Sequence, residues 1–160
     1  MLYRPYLPAD FPQLYAIEQL CFQPPFRFPR PYMRQLIANP NSATWIAECS
    51  PAESISAEES QQMTGFAIVD WSQKPHQTIA YIQTLEVAPA HRKRGIATEL
   101  LRRLESSAIA AGAQILGLHV AEENLPAIHL YQAHGFQPQG REVNYYAPGI
   151  PALLFAKSFL

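Results

Sequence analysis

Leu85-Glu86-Val87-Ala88-Pro89-Ala90-His91-Arg92-Lys93-Arg94-Gly95-Ile96-Ala97-Thr98-Glu99-Leu100-Leu101 reads as a strand that runs into a basic turn and then opens a helix. Within it Arg92, Gly95 and Ala97 keep an Arg-x-x-Gly-x-Ala spacing. Residues of minimal side chain at those places let backbone N–H groups crowd round an anion at the positive end of a helix. The run His91 to Arg94 adds three cations in four positions. Elsewhere such a run is a solvated surface; directly before a glycine and a helix start it is placed to clamp a phosphate. A nucleoside-triphosphate loop would show GxxxxGK(S/T), and a dinucleotide fold GxGxxG after the first strand, and the chain has neither.

A second block follows downstream, Asn124-Leu125-Pro126-Ala127-Ile128-His129-Leu130-Tyr131-Gln132-Ala133-His134-Gly135-Phe136. In this order the two blocks resemble the acetyl-coenzyme-A-binding turn and the NxxAxxLYxxxGF segment of the GNAT superfamily of N-acetyltransferases. Over most of its length the chain resembles, within that superfamily, the ribosomal-protein alanine N-acetyltransferase group, including a late Asn144-Tyr145-Tyr146 that matches an NYY segment there. The resemblance implies the GNAT fold, acetyl-CoA as co-substrate and transfer of its acetyl group to an amine.

The 160 residues suffice for one domain with a real core, so residues 1–160 are read as a single N-acetyltransferase domain. Hydrophobic residues at 48% and charged residues at 16% describe a globular chain, and a formal net charge of −1 gives no general drive toward nucleic acid or an anionic membrane. Cys21 and Cys49 are too far apart for a CxxC motif and supply no disulfide framework, which makes a reducing, cytoplasmic setting the default. Met1 to Asp10 has no apolar stretch of signal-peptide length, no run approaches a membrane span, and no metal-ligand spacing stands out.

Along the chain, Leu2 to Tyr6 predicts a strand, and Asp10 is placed to cap a helix with apolar face Phe11, Leu14, Tyr15, Ile17 and Leu20, ending near Cys21. Gln23 to Pro31 holds Pro24, Pro25, Pro29 and Pro31 with Phe26 and Phe28 between them. It reads either as a rigid loop over a cleft or as a connector whose rings pack on the core. Pro31 suits the first turn of a helix through Ala38. Ala43 to Cys49 and Thr64 to Trp71 predict a hairpin around a serine- and glutamate-rich insert, residues 50–62, expected to be mobile. Thr78 to Val87 predicts a long strand, Ile96 to Ala108 a helix ended by Gly112, and Gln114 to Val120 a strand parallel to the first of these. Asn124 then caps a helix ended by Gly135, and Phe136 to Tyr146 with Ala152 to Phe159 close the fold as an antiparallel pair. The sum is a mixed α/β domain of six or seven strands with helices on both faces.

The resemblance assigns candidate roles. The strands Thr78 to Val87 and Gln114 to Val120 would splay to admit the pantetheine arm, which the peptide groups of Leu85 and Val87 would hold as an added strand. The Val87 N–H would face the thioester carbonyl, and Glu86 to its side completes the cofactor strand. Arg92, Lys93, Arg94, Gly95, Ile96, Ala97 and Thr98 would hold the diphosphate. Asn124 would cap its helix, bond the arm, or both. Tyr131, in the LY pair, is the candidate acid for the departing thiolate, with a buried core tyrosine as the alternative. In the ribosomal-protein group a glutamate in an LEV triplet serves as base; here the triplet is Leu118-His119-Val120, so His119 stands in that place as the candidate base. Glu86 is the rival, although strict alternation turns it away from the slot and would put Tyr81 and Gln83 on the face of Leu85 and Val87, lining a water path. Tyr145 and Tyr146 would hold the acceptor's first residues, with Phe26 and Phe28 on the opposite wall.

A peptide α-amino group, with a reference pKa near 8, is already partly neutral at pH 7 and suits a histidine base. The function read from the residues is acetyl transfer from acetyl-CoA to a primary amine, a protein N-terminus first, with a small-amine acetyltransferase or a non-catalytic CoA-binding module as alternatives.

Overall fold

The computed structural model describes residues 1–52 and 62–160, so the insert at 50–62 lies largely outside the described residues. Its strands are β1 (Leu2–Pro5), β2 (Ser42–Glu48), β3 (Met63–Lys74), β4 (Gln77–Val87), β5 (Ile115–Ala121), β6 (Gln137–Ala147) and β7 (Ile150–Ser158). Its helices are α1 (Phe11–Cys21), α2 (Arg30–Ala38), α3 (Ile96–Ala110) and α4 (Leu125–Ala133). All the strands join one sheet in the order β1-β2-β3-β4-β5-β7-β6, antiparallel throughout except where β4 meets β5. None of the described helices is long and apolar enough to cross a membrane.

The predicted apolar stripe of α3 is the one that buries: Ile96, Leu100, Leu101, Leu104 and Ala108 pack on the sheet with Ala67, Val69, Leu116 and Phe155, and α4 adds Ile128 and Tyr131 to the same face. Removing one of these leucine side chains would leave a void worth about 2–5 kcal/mol. The opposite face is covered by Phe11, Leu14, Tyr15 and Ile17 of α1 and Met33 and Leu36 of α2, over Ile46, Phe66 and Ile68. Helices thus lie on both faces. Two details of α1 differ from the expectation. Leu20 is 65% exposed, and the polar Glu18 is fully buried in its stead. Asp10 does not cap α1 with its side chain. Its carboxylate is drawn to the Arg4 guanidinium at 2.8 Å and takes the Leu7 N–H at 2.7 Å, while Arg4 also reaches Glu48 at 3.0 Å.

The feature that positions everything else is the parting of β4 from β5. They pair only over Ile79–Ile82 and Ile115–Leu118. Beyond that, 84–87 of β4 stay with β3, and 119–121 of β5 stay with β7. The same point on β4 carries a bulge: Val69 faces Ile82 and Ile68 faces Thr84, which leaves Gln83 as the extra residue. A bulge resets the alternation of side chains. Ile82 lies with the α3 core, yet so do Val87 and the partly buried Leu85, while Thr84 and Glu86 turn toward α1. The expectation that Tyr81 and Gln83 share a face with Leu85 and Val87 is therefore overturned. Tyr81 lies on the α1 face, and the amide of Gln83 reaches Asp70, Tyr81's partner on β3, at 2.8 Å.

Candidate active site

On the α3 side of the gap lies a cavity of about 680 Å³, lined by Leu85, Glu86, Val87, Lys93, 95–98, Asn124 and Tyr131 among others. Its floor is the N-terminus of α3. Gly95 stands at the N-cap with φ 79°, the left-handed region that an L side chain resists, and no side chain caps the helix. The first amides of a helix have no carbonyl of their own to bond, so here they face the cavity. Ile96 contributes only its backbone, since its side chain is buried in the core. The basic run divides. Lys93 lines the cavity, Arg94 does not, and Arg92 turns inward, its Nε on the Val87 carbonyl at 3.0 Å and its Nη2 on the Cys21 sulfur at 3.6 Å. Arg92 thus ties the turn to the end of β4 as well as charging it.

The Ala88 N–H bonds Thr64 of β3 at 2.8 Å. Alternation along the strand then directs the peptide groups of Leu85 and Val87 toward the gap. The Val87 carbonyl is already engaged by Arg92, which leaves its N–H and the Leu85 peptide groups as the edge presented there. Asn124 caps α4 through its side-chain oxygen and the Ala127 N–H at 3.4 Å, and it lines the gap from both sides.

These residues fit a coenzyme A thioester: an uncapped helix end for a diphosphate, and a strand edge with room beside it for an extended amide-bearing arm.

On the α1 side a second cavity, about 90 Å³, is walled by Phe22, Phe26, Phe28, Thr84, His119 and Tyr146. The two cavities share Phe22, Leu85, Asn124, Ala127 and Tyr131. Tyr131 is buried, its ring edge-on to Phe136 at 5.5 Å, and burial first, then Tyr146, pushes its phenol well above the ordinary range. It keeps its proton at any neutral pH. His119 sits in a chain of groups: Nδ1 lies 2.7 Å from the Tyr81 hydroxyl, Nε2 lies 2.9 Å from Glu142 Oε1, and the Tyr145 ring stacks on the imidazole at 4.2 Å. Tyr81 also meets the Tyr145 hydroxyl at 3.2 Å. Burial first, and then the Tyr145 hydroxyl, hold Tyr81 as a neutral phenol.

Glu86 is 3% exposed and faces α1, where its carboxyl meets that of fully buried Glu18 and takes the Thr84 hydroxyl. Burial, then Glu18, push it well above the carboxylate range, so it holds a proton where a base must lack one. The acceptor candidates do come together. Phe26 meets Tyr146 edge-to-face at 4.9 Å, while Phe28 is pinned by its N–H on Glu18 at 2.9 Å and its carbonyl on Tyr15 at 2.8 Å. Tyr145 packs on His119 and does not line the cavity, whereas Tyr146, with a pKa pushed up to about 12 by burial and then Tyr145, does. Sequence reasoning named Tyr81 only as lining a water path and missed Glu18 and Glu142. The bulge hides the first, and the other two meet their partners only across the tertiary fold. Among the described residues no group of three His, Cys, Asp or Glu could hold a metal ion.

A model of the acetyltransferase (GNAT) family matches residues 11–136. Streptothricin acetyltransferase of Streptomyces lavendulae is 40% identical over 77 residues, which is 46% of this chain and 38% of that one. The N-terminal acetyltransferase A complex catalytic subunit ard1 of Schizosaccharomyces pombe is 28% identical over 109 residues, 66% of this chain and 62% of that one. The chain thus spans less than two thirds of either relative. Among solved structures, NAA60 of Arabidopsis thaliana in complex with acetyl-CoA superposes with TM-score 0.86 at 24% identity, over 99% of this chain and 98% of that one. The ribosomal-protein-S18-alanine N-acetyltransferase of Escherichia coli superposes with TM-score 0.78 at 21% identity, over 98% and 92%. At these identities the likeness is one of fold.

Proposed function

Since the chain belongs to the acetyltransferase (GNAT) family, we propose that it moves the acetyl group of acetyl-coenzyme A to a primary amine, with the α-amino group of a peptide as the leading acceptor. The observation that carries this reading is the gap between β4 and β5, through which a cavity floored by a helix N-terminus meets a second one walled by aromatic rings. Acetyl-CoA, when bound, supplies an activated thioester. The uncapped amides of α3 and Lys93 hold its diphosphate, and the Leu85 and Val87 edge holds its arm. The Val87 N–H is directed where charge gathers on the thioester oxygen, a placement worth up to several kcal/mol of barrier.

Two protons must move. Tyr131, always protonated, holds one for the departing sulfur. On the acceptor side Tyr81 and His119 act together: the hydroxyl of Tyr81 gives its proton to His119 Nδ1 as it takes one from the amine or from a water beside it. An α-amino group needs only such a modest base, and the free thiols Cys21 and Cys49 suit a cytoplasmic setting. A small-amine acceptor is the second reading, favoured by the match to streptothricin acetyltransferase.

Free-thiol release from acetyl-CoA, measured against peptides and small amines in parallel, tests both. Acceptor-dependent release is expected, higher with peptides, and Tyr131→Phe and His119→Ala should each lower kcat by about 10²-fold or more while acetyl-CoA still binds. Release no faster than hydrolysis with every acceptor would overturn the reading.

A further inference from the structure

Nothing in the transfer chemistry so far uses Glu142, yet its carboxylate contacts the very imidazole assigned to receive the proton. Glu142 Oε1 lies 2.9 Å from His119 Nε2 while Nδ1 lies 2.7 Å from the Tyr81 hydroxyl. A carboxylate can only accept a hydrogen bond, so Nε2 must carry the hydrogen. A neutral imidazole has one N–H, which leaves Nδ1 bare and makes Tyr81 the donor to it. From this we infer that Glu142 is a positioning residue: it selects the His119 tautomer that can take a proton from Tyr81, and it supplies the countercharge once the imidazole is protonated.

The inference rests on the base role proposed for Tyr81 and His119. In its terms the amine proton passes to the Tyr81 oxygen, the Tyr81 hydroxyl proton passes to Nδ1, and the bond from Nε2 to Glu142 persists around an imidazolium. Glu142 is 54% exposed and His119 15%, so the proton has an outlet to water on the Glu142 side.

The geometry is built, and not a loose surface pair. β7 lies between the two strands, with Leu154 opposite His119 and Ala152 opposite Glu142. Ala152, a bare methyl, lets the glutamate reach diagonally over β7. The Tyr145 ring stacks on one face of the imidazole and holds its orientation. Arg141, the adjacent cation, is bound by two contacts of 2.8 and 3.0 Å to Glu122 and does not compete.

The test combines imidazole ¹⁵N NMR with steady-state kinetics on the wild type, Glu142→Ala and Glu142→Gln. In the wild type with the imidazole neutral, a single Nε2–H tautomer is expected. Glu142→Ala should mix the tautomers and lower kcat about tenfold or more, as loss of an orienting partner does for other histidines, with KM for acetyl-CoA and peptide unchanged. Glu142→Gln keeps an oxygen for Nε2–H and should restore the tautomer and part of the rate. An unchanged tautomer and kcat in Glu142→Ala, beside a His119→Ala enzyme that has lost its turnover, would overturn this inference and leave the base role standing. A His119→Ala enzyme with full turnover would overturn both.

Discussion

At the scale of single residues, Glu18 and Glu86 form a tightly constrained pair: two carboxyl groups in contact where water does not reach, each with one buried oxygen that lacks a partner, an arrangement that a proton held between them relieves. Because Glu86 is held above its ordinary value near 4.5, the folded chain keeps a proton that the unfolded chain gives up. The contribution of this proton to stability is therefore complete below that value and is lost as pH rises from it toward the folded-state pKa. Glu86→Gln cannot ionise, and its amide N–H can still donate to Glu18. Thermal unfolding followed from pH 4 to 9 should give a flatter curve for the variant, with its advantage over the wild type widening as pH rises; parallel curves would count against the shared proton. His119 as a candidate was legible in the Leu118-His119-Val120 triplet, and the fold places it on the wall of the α1-side cavity against Tyr81. The neutral, shielded state of Glu86 was not, because its cause is a residue on α1 far away in sequence.

At the scale of elements, most of the architecture could be read locally. Apolar spacing predicted α3, and glycines predicted its end and that of α4, because each signal and its effect lie within a few residues of each other. The bulge at Gln83 was not legible: nothing in Ile82-Gln83-Thr84 marks it, and it exists because β4 must pair with β3 on one side while leaving β5 on the other. Gly95 is the element-scale position with the sharpest consequence. Its φ of 79° directs the chain into α3 with the helix amides facing the cavity, and a Cβ there would meet nothing within 4 Å. Gly95→Ala therefore carries only the conformational cost, about 1 kcal/mol, since the left-handed region penalises a Cβ by that order. A backbone that relaxes to avoid it turns amides away from the anion. Titration of the variant with coenzyme A should show affinity falling by up to about the fivefold that 1 kcal/mol represents, with melting temperature little changed. Unaltered affinity would mean that the amides of this turn do not hold the diphosphate.

At the scale of the whole molecule, the sheet is two wings, β1–β4 and β5–β7–β6, hinged on four residue pairs between β4 and β5 and spanned by helices. Past those pairs, a contact that bridges the wings over the α1-side cavity is Phe26 of the α1–α2 loop against Tyr146 of the β6–β7 hairpin. An edge-to-face pair of this kind adds about 0.5–1.5 kcal/mol beyond its buried area, enough to keep the mouth narrow and too little to make it permanent. The cavity beneath, about 90 Å³, has room for a short side chain. Phe28, fixed by Glu18 and Tyr15, forms the wall that stays. Phe26→Ala removes the bridge and widens the mouth without touching His119, Tyr131 or the α3 turn. Peptides that differ only in the first residue, from glycine through serine and valine to leucine and phenylalanine, should show the consequence. The wild type should favour the small ones. The variant should lose a few-fold in kcat/KM for these, through a higher KM, while gaining on the large ones, with coenzyme A affinity unchanged. Equal losses across the series would instead mean that Phe26 and Tyr146 only brace the wings and that acceptor size is read elsewhere.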